Sequence, residues 1–160
     1  MSWQSSQTAA DRFFGSLVYL LPIVDAYSFG RFIFEQFPIV EQLYQPLFPL
    51  MLIYSLPFGG FILFLGLYLG VVNNPRISRF IRFNTLQTIL IGILLSLCGM
   101  ALKYVLLPII GNGIVTQVLI NVIFLGTIAM SVYGVFMSAL GKYAEFAQLS
   151  ETAHLHIDRI

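Results

Sequence analysis

"NNPRISRFIRFNTLQ", residues 73–87, spaces Arg76, Arg79 and Arg82 three apart, with Ile77, Phe80, Ile81 and Phe83 among them. Three of the chain's eight cationic residues gather here, while the flanking sequence is almost wholly apolar. Over the full 160 residues, 58% are hydrophobic and 9% charged. A soluble domain carries roughly 25% charged residues, so this surface could not be kept in water. The runs of Leu, Ile, Phe and Val beside the arginines exceed the ~20 residues that cross a bilayer. Length fits one domain, and the composition fits an integral membrane protein.

Working outward from the arginines, four spans are expected, at about 13–34, 50–72, 84–107 and 114–138. They form one membrane domain over 13–138, between a polar N-terminal segment (1–12) and a polar C-terminal tail (139–160). Hydrocarbon offers backbone groups no water, so each span should be helical. "FILFLGLYLGVV" lacks the alternation a barrel strand needs. The expected fold is therefore all-α: a polytopic four-helix transmembrane bundle. Between the first two spans, Ile39, Val40, Leu43, Tyr44 and Leu47 would share one helical face, bounded by Pro38 and Pro46. A short interfacial helix fits that pattern. The tail, "KYAEFAQLSETAHLHIDRI", reads as a water-exposed helix.

Four spans leave both termini and the arginine cluster on one side. That side collects Arg12, Arg76, Arg79, Arg82, Lys142 and Arg159, against Arg31 and Lys103 on the other. Basic residues in short loops stay on the side of synthesis, so both termini should be cytoplasmic or stromal. The N-terminus lacks the basic lead of a secretory signal, so the first span is expected to be uncleaved. A net charge of +1 gives no footprint for nucleic acid. The lone Cys98 excludes an intrachain disulfide.

Helices in lipid associate through close packing and scattered polar contacts. Candidate packing positions are Gly59, Gly66 and Gly70 in the second span, Gly92, Ser96 and Gly99 in the third, and Gly134 and Ser138 in the fourth. The stripes read either as a compact bundle or as the lining of a polar path. A pore would need several copies, as in a homo-oligomer, or other subunits. Candidate polar or partner-contact residues are Asp25, Arg31, Arg76, Arg79, Arg82, Asn84, Gln87 and Lys103. Asp25 costs about 2.5–3.5 kcal/mol on insertion scales, which calls for a partner or water. It either pairs with Lys103 or caps a helical turn at the far interface. Arg31 and Glu35 should pair along a helix. The arginine cluster is a topology signal that also attracts anionic lipid headgroups, or a docking patch for a partner or a passing polypeptide. His154 and His156 read as solvated. No catalytic motif, metal-ligand set or cofactor site is recognised, so neither enzyme activity nor a cofactor is expected.

"YLLPIVDAYSFGRFIFEQFP" and "SLPFGGFILFLGLYLGVVNNPRISRFIRFNTLQTILI" resemble the twenty-kilodalton subunit of the translocon at the inner envelope of chloroplasts, the Tic-twenty family. The resemblance rests on Pro22, Asp25, Gly30 and Arg31, and on Asn74, Pro75, Arg76, Ser78, Arg79, Phe80, Arg82, Phe83, Asn84 and Gln87. It covers roughly residues 13–105, and the fourth span agrees in pattern. It implies a four-span membrane protein with both termini in the stroma. It also implies a role in preprotein import within a larger complex, with other translocon subunits and the translocating polypeptide as partners, and no catalytic residues. The absence of a transit peptide fits a cyanobacterial plasma-membrane relative or a plastid-encoded copy.

Overall fold

The computed structural model describes residues 6–146 and 148–160, and these are helical with no strand. The order is α1 (Ala9–Leu17), α2 (Leu20–Ala26), a 3-10 turn (Tyr27–Phe29), α3 (Arg31–Gln36), α4 (Pro38–Gln42), a second 3-10 turn (Gln45–Leu47), α5 (Phe48–Ser55) and α6 (Gly59–Leu67). A π turn (Tyr68–Val72), α7 (Arg79–Ala101), a further π turn (Leu102–Leu106), α8 (Leu107–Ile110), α9 (Ile114–Ala139) and α10 (Gln148–Arg159) follow.

Two continuous helical stretches are long and apolar enough to cross a membrane: Arg79–Ile110 and Ile114–Ala139. A third qualifies if Pro38–Ser55 and Gly59–Val72, bent by 99°, count as one broken span. The chain is thus a helical membrane protein. The first apolar stretch runs in pieces, and proline explains where it breaks. Pro22 has no N–H for the Val18 carbonyl and its ring crowds that carbonyl, so α1 stops at Leu17. Leu21 donates to Val18 O instead, at 3.1 Å. Phe37 precedes Pro38 and leaves the helical region at φ −132°, ψ 77°, ending α3. Leu56 precedes Pro57 and is extended (φ −70°, ψ 149°); Phe58 then turns left-handed at φ 59°. These two residues make the 99° bend.

α7 starts at Arg79, five residues before the apolar window that set the expected span. Ser78 caps it, its Oγ accepting from Ile81 N at 3.3 Å. Arg79 and Arg82 therefore belong to the first turn of a helix and only Arg76 to the loop. α1 and α2 pack on both α7 and α9. Gly134 of α9 lies against the Tyr19 ring, where a Cβ would collide with the ring carbons. The short helix between the first two apolar stretches is present as α4. Tyr44 beyond it is buried and Val40 and Leu47 pack on the core, but Ile39 and Leu43 are exposed, so the five apolar residues do not share one face.

The tail differs from expectation. α10 lies against α7 instead of standing free in water. Ser150, Ala153, His154 and Ile157 are buried, an i, i+3, i+4, i+7 stripe that marks one helical face.

Candidate functional site

The arginine end holds a buried hydrogen-bond network centred on Gln87. Its Nε2 donates to the Tyr19 hydroxyl at 2.8 Å and to the Ala144 carbonyl at 3.1 Å. Its Oε1 accepts from the Ser150 hydroxyl of α10 at 2.7 Å. The Tyr19 hydroxyl donates to Asn84 Oδ1 at 2.9 Å, and Asn84 Nδ2 donates to Phe80 O at 2.9 Å. Ser138 Oγ also lies 3.4 Å from Asn84 Oδ1. Three helices (α7, α9 and α10), the link between α1 and α2 and the chain before α10 thus meet through amides and hydroxyls that are nearly inaccessible to solvent. Such groups are stabilising only when paired.

The three arginines have three different surroundings. Arg76 is exposed in the loop, where its backbone N–H bonds Asn74 Oδ1 at 3.0 Å. Arg79 reaches α10: Nη2 and Nε lie 2.7 and 3.0 Å from Asp158 Oδ1, and Nη2 lies 3.1 Å from His154 Nδ1. Arg82 is 8% exposed and donates from Nε to the Val72 carbonyl at 2.7 Å. Val72 ends the π turn after α6, so the guanidinium sits where carbonyls of that helix lack intrahelical donors and the dipole is negative. Arg82 acts as a cap for the second apolar stretch.

His154 is buried, which corrects its reading as solvated. Its ring stacks on Phe83 at 4.1 Å between centroids, with Nε2 3.5 Å from Glu145 Oε1. Since a guanidinium can only donate, Nδ1 must accept from Arg79, and the proton belongs on Nε2. Burial first, and then the Arg79 charge, hold His154 below the usual histidine range against the opposing pull of Glu145 and Asp158. His156 meets the Tyr68 hydroxyl at 2.9 Å.

Asp25 occupies the second region. A Cβ added at Gly92 would come within 3.0 Å of Asp25 Oδ2. The segment of α7 between Arg82 and Lys103 has no charged residue and is about 31 Å long at 1.5 Å per residue, close to the ~30 Å of hydrocarbon. Gly92 is midway along it, so Asp25 faces the middle of that charge-free segment. The structure shows neither sequence-derived arrangement: Asp25 lies within α2 and caps no helical turn, and Lys103 lies about 16 Å further along the helix. The Lys103 ammonium instead sits 5.3 Å from the centre of the Tyr104 ring. The neighbour Asp25 does have is the Tyr54 hydroxyl, which the end of α5 brings across just before the bend. Sequence reasoning missed Tyr54; its position before Pro57 was the signal. Arg31 pairs with Glu35 at 3.3 Å on the surface.

Two clefts flank Asp25, of about 450 and 560 Å³, and both are lined by Asp25, Tyr54, Gly92 and Ser96. The larger opens between α6 and α7, with Phe61, Phe64, Leu97 and Met100 on its walls. Ser96 bonds only its own helix, at Gly92 O, 3.0 Å. Of the other small residues, Gly99 lies near Phe29, Gly59 is pressed on the Ile53 carbonyl within the bend, and Gly66 and Gly70 have open space where a side chain would project.

The class these features define is a small helical membrane protein, sealed by polar bonds at one end and cleft around an acid beside the middle of α7. Residues 9–153 match the family model described as chloroplast import apparatus Tic20-like. A Tic20 family protein of the cyanobacterium Synechocystis is 45% identical over 158 residues, covering 98% of this chain and 99% of that one. The Arabidopsis chloroplast protein TIC 20-II is 36% identical over 84% of this chain and 66% of its own length. The red alga Gracilaria has a Tic20 family protein, Ycf60, that is 33% identical over 94% of this chain and 77% of its own. The chain belongs to the Tic20 family.

Proposed function

We propose that the chain is a membrane subunit of a polypeptide translocation complex and contributes to the path of the moving chain. Family membership supports the import context, since the family description names a chloroplast import apparatus. The observation that carries the reading is the open gap beside Asp25, Gly92 and Ser96, midway along the charge-free part of α7, which offers a passing segment a polar surface inside an otherwise oily wall. In this reading the chain crosses four times, the first crossing made of α1, α2 and α3 and the second of α5 and α6, with α4 at the far interface. Both termini stay on the arginine side, cytoplasmic in a cyanobacterial plasma membrane or stromal in a plastid inner envelope, held there by the bias in basic residues. Other subunits or further copies complete any channel. The subunit moves a substrate without making or breaking bonds in it.

A second reading, a non-conducting structural or assembly subunit, draws support from the Gln87 network. It pairs the buried amides of α7 near the arginines, Asn84 and Gln87, with neighbouring groups of the same chain. A solute or ion transporter is the weakest alternative, since one intramembrane acid stands alone.

Crosslinking separates the readings. A polypeptide stalled in transit should crosslink to photoreactive residues at Gly92 and Ser96. Crosslinks from those positions to partner subunits alone would support the non-conducting reading. Ion flux through the purified protein, lost in Asp25→Asn, would favour the transporter. Protease added to sealed vesicles from the far side should leave the α10 tail intact; cleavage there would overturn the orientation.

A further inference from the structure

We infer that the cleft between α6 and α7 is a lateral docking site for a transmembrane helix of a different subunit, one that carries a lysine or arginine near mid-depth. The inference does not depend on whether the bundle conducts a polypeptide.

The shape of the site comes from the bend. Pro57 and the left-handed Phe58 swing α6 away from the line of α5. α6 then leans on α7 only near its end, through Phe64, Leu67 and Tyr68 against Phe83, Leu86 and Ile89. Above that contact the two helices diverge, leaving the cleft of about 560 Å³. Its floor presents Gly92 and Ser96, small enough for another backbone to approach, and its walls are apolar.

Charge selects the occupant. Asp25 opens into this cleft, and among the described residues no cation of the chain pairs with it. Tyr54 supplies a hydroxyl and no charge. A carboxylate in hydrocarbon is stabilised by an opposite charge or by water, and apolar walls favour the first. Depth then narrows the source. Lipid headgroup amines lie at the surface, about 15 Å from the midplane. A second copy in the same orientation carries its Lys103 about 16 Å from the level of Asp25 and its arginine cluster about as far the other way; its Arg31, about 9 Å off, is already paired with Glu35 on the surface. A helix from another chain, with a long basic side chain at its centre, meets both the apolar walls and the acid.

The test uses the full-length protein in nanodiscs of phosphatidylcholine and phosphatidylglycerol, with benzoylphenylalanine at Leu97. The probes are two synthetic apolar helices of about 20 residues, one with a central lysine and the other with norleucine there. The lysine helix should crosslink about tenfold more than the norleucine helix, as expected for gaining a charge-assisted bond. Asp25→Asn should erase that preference and Asp25→Glu restore it. Gly92→Leu, which keeps the acid but fills the floor, should abolish crosslinking of both helices. Equal crosslinking of the two helices by the wild-type protein would overturn the inference without the need for any variant. So would crosslinks to lipid alone, or a lysine preference that survives Asp25→Asn. A stalled polypeptide that crosslinks at Ser96 while the lysine preference is absent would leave the translocation reading standing and remove this one.

Discussion

The two halves of α7 share one sequence pattern and lead different lives. From Phe80 to Ile89 all its side chains but Ile81 are buried, and Gln87 and Asn84 are bonded to Tyr19 before α2, Ser138 of α9 and Ser150 of α10. From Ile93 onward Ile93, Leu94, Leu97 and Met100 are exposed, and Ser96 bonds only its own backbone. The small and polar residues run through both halves at the same spacing. What differs is the opposing surface. The first half meets α1, α2 and the returning tail, whose Ser150 fits the Gln87 amide. Pro57 bends the neighbour of the second half away. A stripe of small residues marks where helices can approach, and the partner decides whether they do.

That contrast can be broken by substitution. The largest effect is expected for Gln87→Leu, which removes three hydrogen bonds, to Tyr19, Ala144 and Ser150. At about 0.6–1.7 kcal/mol per bond in a membrane bundle, the loss should total about 2–5 kcal/mol. Ser96→Leu, at the matching polar position of the open half, should change stability by no more than about 0.5 kcal/mol. Reversible unfolding in mixed micelles measures both, and equal losses would erase the distinction between the halves.

The arginines sharpen it next. Arg82→Gln removes a buried cation from the Val72 carbonyl and should cost about 1–3 kcal/mol. Arg76→Gln, in the exposed loop, should stay within about 0.5 kcal/mol. Faster amide exchange over residues 68–73 in the first variant alone would report loss of the cap.

Docking of α10 should depend on pH through His154, which faces Arg79, Glu145, Asp158 and Tyr143. Its folded value is held below the ordinary one, so the undocked ring binds protons more readily than the docked ring. The contribution is full above about pH 6.5 and falls away as pH drops through the lowered folded value. Amide exchange of 148–159 should therefore quicken on acidification, and His154→Phe, which keeps the stack on Phe83, should flatten the response. The smallest effect belongs to the bend: Phe58→Gly relieves a left-handed residue and should stabilise by up to about 1 kcal/mol.

Much of this was legible in the residues. Pro22, Pro38 and Pro57 each break a helix where the missing N–H and the restricted preceding residue require it. The membrane class followed from the scarcity of charge, and the weight of 73–87 from its arginines. The sealing of the arginine end was not legible, because it depends on Ser150 meeting Gln87 across 63 residues. The tail was misread for a simpler reason. Its buried face is built from Ser150, Ala153, His154 and Ile157, and two of the four are polar types that look solvated until their partners are known. Tyr54 was overlooked because a tyrosine in an apolar run is usually core. The bend after it turns its hydroxyl toward Asp25.

The most direct measurement is the reactivity of single cysteines in the purified protein in nanodiscs, free of other subunits, in a Cys98→Ala background. Ser96→Cys, on the open half of α7, should react with N-ethylmaleimide while the protein is folded, and Asn84→Cys, in the sealed half, should react only after denaturation. Protection of position 96 together with ready labelling at position 84 would contradict the account.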